Sequence, residues 1–370
     1  MRKYLYLSIA ALCAASLASC SSDDNNEPEV PVTGQKSPVY VLNQGNFYNA
    51  IEGGLSVIDL EEKTISNNVF KSANNRSLGD TPQCGVAYGS KIYVGTSQSN
   101  TIEIIDRASY LSYKQIRLSE NPQNGTSPYS MVADKGYVYI SMYDGYLARL
   151  DTLTMTIDKS VAVGANPDQI ALHNGKIFVP VSEGMNWPDY GRTACIVNPK
   201  SMTVEKKFNV GLNPTQFIST GNNLFLLCKG NYADVPSTLY EITEGTDDNN
   251  NQTYVYTTIC NATLAAAFNG SVAIIDEPFV EGAPKATYRT YDPETKTLSD
   301  WNIKQPDYAN AIYFDNQSGN LFIASYVMNG MYPSYDLPGY VNVYDTTGEN
   351  LLFKADLEAA GPACMFSHKK

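Results

Sequence analysis

The residue types that carry hydrolytic and metal chemistry are scarce in this sequence. Its 370 residues include two histidines, His173 and His368, and both fall where a first strand is predicted to turn back into a second. A Ser-His-Asp or Cys-His nucleophile needs a histidine beside the reacting group, and a His-ligated metal centre needs one as a ligand. We therefore predict no catalytic residues of these classes, no metal ligands and no cofactor.

Carboxylates leave one enzymatic alternative open. Glycoside cleavage needs two carboxyl groups at a fixed separation, which a sequence cannot show. Six acidic residues lie in segments predicted to share one face: Asp144, Asp168, Glu183, Asp276, Glu277 and Asp307. A carboxylate-dependent, glycan-active enzyme is therefore the less favoured alternative.

A binding chemistry is indicated by the loops that follow each predicted second strand and by the residues that start each first strand. These segments are rich in aromatic rings, methionines and carboxamides, and the loops are long in the second half of the chain. Such side chains suit a large ligand with flat apolar surface and many hydrogen-bonding groups. The predicted ligand-binding residues are Asn43, Gln44, Asn46, Phe47, Tyr48, Gln83, Gln98, Tyr129, Tyr143, Asp168, Gln169, Met185, Asn186, Trp187, Tyr190, Gln216, Asn231, Tyr232, Phe279, Asn310, Tyr326, Met328, Tyr332 and Tyr335.

A repeat positions these loops. Each unit starts with a small or polar residue, usually before Pro, runs into an apolar strand, turns at a Gly-containing dipeptide and continues as a second apolar strand. Seven starts, 39 to 53 residues apart, fall at Thr81, Ser127, Asn166, Asn213, Asn261, Tyr308 and Gly361. A period in this range is typical of four-stranded propeller blades.

Most units also contain a third strand that ends at Asp or Asn. A side-chain oxygen at this point bonds the backbone two residues on and closes a hairpin into the fourth strand. We interpret these residues as structural, without a catalytic role: Asp59, Asp106, Asp151, Asn198, Asp292 and Asp345.

The two ends of the repeat complement each other. Residues 361–366 form a first strand with no second strand after it, and residues 38–42 form a second strand with no first. Joining them completes a blade from both termini and leaves no exposed sheet edge. We predict an all-β fold, a seven-bladed β-propeller over residues 38–370 that is closed by N- and C-terminal strands sharing one blade, with no substantial helix.

The first 37 residues have the character of an export segment. Arg2 and Lys3 precede an apolar run that is too short to span a membrane, and Leu17-Ala18-Ser19-Cys20 follows it. This pattern resembles the lipobox of bacterial lipoproteins, which implies a signal peptide over residues 1–19 and lipidation of Cys20; an ordinary secretory signal is the alternative. Residues 20–37 are polar and acidic, a flexible tether. They resemble the surface-export signal of Bacteroidetes lipoproteins, which implies an outer-membrane protein facing the cell exterior.

Charge and cysteine usage exclude further classes. The chain carries a formal charge of −12, which becomes about −14 without Arg2 and Lys3, and it contains no basic cluster. Nucleic acid is therefore not an expected partner, since phosphate binding needs a basic surface. The cysteines after Cys20 are odd in number and lack CxxC spacing, so we interpret them as small buried residues.

The repeat units resemble a known propeller class. Residues 91–95, Lys-Ile-Tyr-Val-Gly, and residues 101–106, Thr-Ile-Glu-Ile-Ile-Asp, match the central motif of the YVTN and YncE class of surface-layer propellers. The resemblance covers nearly all of residues 38–369. It is specific for the fold and weak for function, because propellers host many unrelated activities.

Tether, repeat and loop composition together resemble the BtuG-type, corrinoid-capturing lipoproteins of gut Bacteroides. The resemblance implies capture of vitamin B12, a corrinoid, and its transfer to a TonB-dependent outer-membrane transporter, with the membrane reached through the lipid anchor on Cys20. Cobalamin would be a transported ligand, and the protein would not be an enzyme. The alternatives are a glycan-binding or adhesin lipoprotein and a propeller that docks only to another protein.

Overall fold

The computed structural model describes residues 37–247, 249–278 and 286–369. Predictions for Cys20, for the leader and tether up to residue 36, and for Phe279 lie outside these ranges. In chain order the strands begin with β1 (Val39–Asn43), β2 (Gly54–Asp59), β3 (Thr64–Ser66), β4 (Pro82–Tyr88), β5 (Lys91–Thr96), β6 (Thr101–Asp106), β7 (Ser112–Arg117), β8 (Pro128–Asp134), β9 (Tyr137–Met142), β10 (Tyr146–Asp151), β11 (Thr156–Ala162), β12 (Ala171–His173), β13 (Lys176–Val181), β14 (Thr193–Asn198) and β15 (Thr203–Asn209).

The second half of the chain continues the same pattern. Its strands are β16 (Pro214–Thr220), β17 (Asn223–Cys228), β18 (Thr238–Thr246), β19 (Gln252–Asn261), β20 (Leu264–Phe268), β21 (Ser271–Asp276), β22 (Thr287–Asp292), β23 (Thr297–Asp300), β24 (Tyr308–Asp315), β25 (Asn320–Tyr326), β26 (Met328–Asn329), β27 (Tyr332–Pro333), β28 (Tyr340–Tyr344), β29 (Leu351–Asp356) and β30 (Pro362–Lys369). The described helices are α1 (Val69–Asn74) and the 3₁₀ helices Phe47–Asn49, Leu118–Glu120 and Pro122–Asn124.

The strands form antiparallel units of four, arranged as a propeller. Five of these stand alone among the described residues: β8 to β11, β12 to β15, β16 to β19, β20 to β23, and β24, β25, β28 and β29. The other large sheet has eight strands in the order β3-β2-β1-β30-β4-β5-β6-β7, and β26 with β27 forms a small ribbon. The predicted all-β propeller is confirmed, whereas the predicted seven separate blades are wrong, because five separate four-stranded blades are present.

One contact accounts for the difference in number. Strand β30 pairs in parallel with β4 at two residue pairs, His368 with Ala87 and Lys369 with Tyr88, so two runs of four strands merge into one sheet. Innermost strands converge toward the central channel of a propeller, which brings β30 and β4 close enough to bond. The expected meeting of the chain ends is present, since β1 pairs antiparallel with β30 along its whole length.

The core lies between neighbouring four-stranded units. Five of the six residues in each of β5, β13 and β17 are buried. Middle strands are buried on both faces because a propeller blade packs against a neighbour on each side, whereas the outermost strand β15 alternates between exposed and covered positions. This packing fixes the strands and leaves the loops to carry other chemistry.

The connections divide between two faces of the ring. We call upper the face with the loops that follow β13 and β17 and the starts of β8, β12 and β16, and lower the face with the turns at the ends of the third strands. The predicted turn role of the aspartates is confirmed on the lower face. The Asp59, Asp151 and Asp292 carboxylates each accept a backbone N–H two residues on, at 2.8 Å.

A short helix was not predicted. Helix α1 follows β3 and buries Val69 and Phe70 against the core that β1, β2 and β5 share. Its sequence is too short for an apolar period to be recognised. Within the described ranges, no helix has the length and apolar character needed to cross a bilayer.

Candidate functional site

A cavity of about 190 Å³ lies on the upper face, where the units built from β8, β12 and β16 meet. Seven of the predicted ligand-binding residues line it: Tyr129, Tyr143, Asp168, Gln169, Tyr190, Gln216 and Tyr232. They come from three neighbouring units, and the packing of these units in the ring brings them together. The remaining lining residues are Ser182, Gly184, Asn213, Thr215, Leu227, Lys229 and Leu264.

Two pairs of tyrosines form the aromatic part of the lining. Tyr129 and Tyr143 stack with ring centroids 4.7 Å apart and an interplanar angle of 20°. Tyr190 and Tyr232 meet edge to face at 5.9 Å and 75°. Offset stacking and edge-to-face packing are the favourable arrangements for aromatic rings, so the pairs hold one another in place.

The hydroxyl of Tyr143 is positioned by a close approach of the backbone. A Cβ atom on Gly184 would lie 2.5 Å from this hydroxyl and 3.2 Å from Ser182 Oγ. Glycine is therefore required for the ring to occupy this place. Burial, followed by the nearby Asp168 carboxylate, raises the pKa of Tyr143 to about 12, so the phenol is a neutral hydrogen-bonding group at neutral pH.

Asp168 and Lys229 place opposite formal charges in the same small cavity. Asp168 is 5 % exposed, and burial raises its pKa well above the usual range for a carboxyl group. Lys229 donates from Nζ to the Thr263 carbonyl, and burial lowers its pKa to about 8. The ion pairs found among the described residues do not include one between Asp168 and Lys229. The free-energy cost of enclosing each charged group is therefore not fully offset by an opposite charge.

The rim of the cavity is fixed by backbone bonds between units. Gln169 N–H donates to the Thr215 carbonyl at 2.9 Å, and Phe217 N–H donates to the Gln169 carbonyl at 3.0 Å. These bonds join the start of the β12 unit to β16, so Gln169 and Gln216 lie side by side as a parallel bridge. The carboxamides of this rim therefore sit on rigid backbone.

Three predicted residues lie exposed beside the cavity and form what we call the first ridge: Met185, Trp187 and Tyr232. Their exposed fractions are 79 %, 73 % and 72 %. Asn186, in the same loop, donates to the Asp189 carbonyl at 3.2 Å and shapes the turn. Large apolar side chains are seldom left this exposed in neighbouring positions, and such surfaces mark interaction sites.

A second ridge, formed by Phe47, Tyr48, Met331, Tyr332 and Tyr335, lies across the ring from the first and is also exposed. The β20–β23 unit separates the two ridges in one direction and strands β4 to β11 separate them in the other.

Two loops form the second ridge, and one carboxylate ties them together. Asp336 accepts from Asn46 Nδ2 at 2.7 Å and from Asn49 Nδ2 at 2.8 Å. Asn46, predicted as a ligand contact, is thus engaged in holding the loop that carries Phe47 and Tyr48.

The other predicted residues fall into two groups. Those engaged within the scaffold are Asn43, buried and bonded to Ser56; Gln44 and Gln83, bonded to each other at 2.6 Å; Asn231, bonded to Asp234; Asn310, bonded to the Pro362 carbonyl; and Tyr326, buried against Tyr335. Those placed at the surface without lining the cavity are Gln98 and Met328.

Sequence reasoning missed Lys229, which is the one cationic side chain among the described residues that line the cavity. Its signal was a lysine placed directly after the apolar strand β17, in a loop already recognised as one of the upper-face loops. Basic residues at strand ends are common on protein surfaces, and only the approach of Thr263 from the next unit encloses this one.

The histidines and the other carboxylates do not join the cavity lining. His173 Nδ1 lies 2.9 Å from Ser219 Oγ near the lower face. Asp144 accepts from Thr126 N–H at 2.9 Å, and Glu277 accepts from Ala309 N–H at 3.1 Å. Asp168 is therefore the one carboxylate in the lining of the described cavity.

Solved structures resemble this chain over most of its length. A Bacteroides uniformis protein, provisionally assigned as a 6-phosphogluconolactonase, matches with a TM-score of 0.61 at 11 % sequence identity, covering 90 % of this chain and 99 % of that chain. Hydrazine synthase of Kuenenia stuttgartiensis matches with a TM-score of 0.44 at 12 % identity, covering 88 % of this chain and 80 % of that chain. At these identities the first match shows the propeller fold alone, and the second supports no conclusion.

Sequence comparison gives a family. No curated protein matches this chain. A family model described as a domain of unknown function, DUF5074, matches residues 37–222, half of the sequence. The matched range includes Asp168 and both residues of the Tyr129–Tyr143 stack, and it ends before Lys229. The chain belongs to the DUF5074 family.

Proposed function

We propose that this protein is a surface lipoprotein that captures a corrinoid on its upper face and passes it to a TonB-dependent outer-membrane transporter. The observation that carries the proposal is the first ridge beside the polar cavity. A flat apolar macrocycle fringed with amides could contact Met185 and Trp187 with its faces and reach the cavity with its fringe.

The size of the cavity decides how such a ligand would lie. Sites that enclose a drug-sized molecule usually have volumes of roughly 300–1,000 Å³. The cavity here, at about 190 Å³, is smaller than that range. It would therefore take one projecting group, while most of the ligand would rest outside on the exposed ridge.

Binding is a better account of the cavity than catalysis. Glycoside hydrolysis uses two carboxyl groups about the scissile bond, and the cavity lining contains Asp168 alone. The resemblance to the B. uniformis protein concerns the fold, and folds of this kind host unrelated chemistries. We therefore propose a non-enzymatic protein.

The family likeness to YncE-type propellers is consistent with a ring of seven units. The eight-stranded sheet consists of β30-β1-β2-β3 and β4 to β7, joined at two residue pairs. Hydrophobic clusters connect each of these runs separately to its neighbours, including one cluster that joins β1 and β2 to β24, β25 and β28. We infer that each run acts as one blade.

The direct test is calorimetric titration of the purified protein with cyanocobalamin. We expect binding at micromolar concentrations or tighter, and loss of affinity in Trp187→Ala. Leu153→Ala is the matched control, because Leu153 is also an exposed apolar residue but lies in a lower-face turn. Absence of heat and of co-elution at micromolar concentrations would overturn corrinoid capture.

A glycan ligand is the second candidate, and it rests on the same exposed rings. Trp187 and Tyr232 could stack on sugar rings, and the carboxamide rim could bond hydroxyl groups. A glycan array probed with the wild-type protein and with Trp187→Ala separates the two ligands. Binding to glycans that the variant loses, without binding to cyanocobalamin, would replace the first proposal with this one.

The lipoprotein part of the proposal has its own test. Cys20→Ala should remove the acyl anchor and release the protein from the membrane fraction of cells that express the full chain. Surface exposure is measured by protease accessibility of the wild-type protein on whole cells. Retention of the variant in the membrane fraction would contradict anchoring through Cys20.

A further inference from the structure

The cavity presents a hydrogen-bond donor and a hydrogen-bond acceptor that do not bond to each other. Asp168 and Lys229 both line it, and Lys229 donates one of its N–H groups to the Thr263 carbonyl. The ammonium group has three donors, so donors remain for a ligand. Asp168, which lines the same space, supplies the acceptor.

Three classes of ligand group fit this arrangement poorly. An apolar group would make no hydrogen bond to the buried Asp168 or to the remaining donors of Lys229, so the cost of enclosing them would stay in place. A cationic group would face Lys229. An anionic group would need Asp168 to stay protonated and would approach a chain whose formal charge is −12.

A neutral group with a donor and an acceptor on different atoms fits better. A primary carboxamide offers a carbonyl oxygen and an NH₂ group in one plane, and its planar shape suits a space lined by the Tyr129–Tyr143 stack. It can also bond Asp168 in either protonation state, because the carboxyl group keeps an acceptor oxygen in both. Burial disfavours the charged forms of Asp168 and Lys229, so new hydrogen bonds to a ligand would offset part of that cost.

We propose that the cavity is a subsite for a primary carboxamide of the ligand. Lys229 Nζ donates to the amide oxygen, and an Asp168 carboxyl oxygen accepts from the amide NH₂. The inference rests on the proposed function for the identity of the whole ligand, but the subsite chemistry can be measured without it.

The experiment uses two small probes of nearly equal size, benzamide and benzoate, and follows them by ligand-observed NMR with the purified protein. We expect saturation transfer to benzamide at millimolar concentration and at least tenfold weaker binding of benzoate. Lys229→Met and Asp168→Ala should each weaken benzamide binding at least fivefold. Asp168→Asn, which keeps an acceptor oxygen, should retain most of the wild-type affinity for benzamide.

Folding of each variant is checked by circular dichroism, and Leu153→Ala serves as the control. Leu153 is exposed in a lower-face turn, away from the cavity, so its loss should leave the preference for benzamide over benzoate unchanged. A second measurement compares cyanocobalamin with derivatives in which one side-chain amide is hydrolysed to the acid. We expect one such derivative to bind at least tenfold more weakly.

The outcomes separate the two proposals. Cyanocobalamin binding without any preference for benzamide, and with equal affinity for the hydrolysed derivatives, would overturn the carboxamide subsite and leave corrinoid capture standing. Benzamide binding that depends on Lys229 and Asp168, without cyanocobalamin binding, would support the subsite and reject the corrinoid. Preference for benzoate would overturn the subsite and identify an anion site instead.

Discussion

Carboxylates on the two faces of the ring have opposite surroundings. On the lower face, the Asp345 carboxylate accepts from Thr347 and Asn350, and these hydrogen bonds lower its pKa to about 2. On the upper face, Asp168 is buried in a cavity, and burial raises its pKa well above the usual range. Aspartate thus closes a turn on the lower face. On the upper face, the free-energy cost of burying an aspartate is only partly offset. These surroundings indicate that the lower-face carboxylates stabilise turns, whereas the upper face carries the site that we propose for binding.

The largest expected effect concerns a buried cation near the lower face. Arg149 pairs with Asp158 and donates to the Pro199 and Lys200 carbonyls at 3.0 Å, which ties the β8–β11 unit to the next one. Arg149 is buried, whereas Asp158 is exposed, so the cost of removing Arg149 is that of its lost hydrogen bonds, about 1 kcal/mol each. Arg149→Ala should therefore lower the free energy of unfolding by about 3 kcal/mol in chemical denaturation.

The control for that change is Lys176→Ala, which removes a more exposed ion pair with Glu205 and should cost less than about 1 kcal/mol. Ligand binding by folded Arg149→Ala should match the wild type. A loss of affinity in this variant, measured well below its melting temperature, would contradict the division between a stabilising lower face and a binding upper face.

Next in size is a change on the upper face. Trp187 is 73 % exposed, so its removal leaves no cavity in the core. Trp187→Ala should weaken binding of the ligand about tenfold, or about 1.4 kcal/mol, because the contact area of the indole ring is lost. Calorimetry measures the affinity, and thermal unfolding should be unchanged. Unfolding at a clearly lower temperature would show that the ring supports the scaffold.

A turn carboxylate on the lower face gives a smaller effect. Asp345→Ala removes the bonds to Thr347 and Asn350 and should cost about 1 kcal/mol, the usual net value of a hydrogen bond. The pKa of Asp345 is lowered in the folded protein from 3.8 to about 2. Its contribution to stability is therefore present above pH 3.8 and is lost as the pH falls through about 2. Melting temperatures of the variant and wild type should converge in acid; a constant difference down to pH 2 would contradict this.

The last prediction concerns Glu277 on the upper face, whose contribution to stability changes with pH in the opposite direction to that of Asp345. Burial raises its pKa from 4.5 to about 7, so the folded state holds a proton that the unfolded state has lost between these values. The contribution of Glu277 to stability therefore falls as the pH rises from 4.5 to about 7. Glu277→Gln should flatten this slope in melting temperature against pH. An unchanged slope would show that Glu277 titrates normally.

Sequence reasoning predicted the strands well because their signals are local. The third strands predicted to end at Asp151 and Asp106 are observed at Tyr146–Asp151 and Thr101–Asp106. Alternating apolar residues and a terminal aspartate define each such strand without reference to the rest of the chain. Helix α1 was missed because six residues give no recognisable period.

The candidate site was predicted only in part, because its enclosure depends on neighbours that are distant in the chain. Asp168 and the tyrosines were singled out from loop composition. Asn43 and Asn310 are carboxamides that also lie near strand ends, yet they bond Ser56 and the Pro362 carbonyl within the scaffold. A carboxamide near a strand end can either bond the scaffold or face a ligand, and the geometry of the adjoining units decides which.

By itself the sequence determined the all-β class, the repeat, the pairing of the chain ends and the turn role of the lower-face aspartates, since each follows from local hydrogen bonding or from the period of apolar residues. The tertiary structure decided which residues share a cavity. Asp168 and Lys229 are 61 positions apart in the sequence, and they share one small space only because the β8, β12, β16 and β20 units converge there. Burial is a property of that convergence, and it gives these two side chains their chemistry.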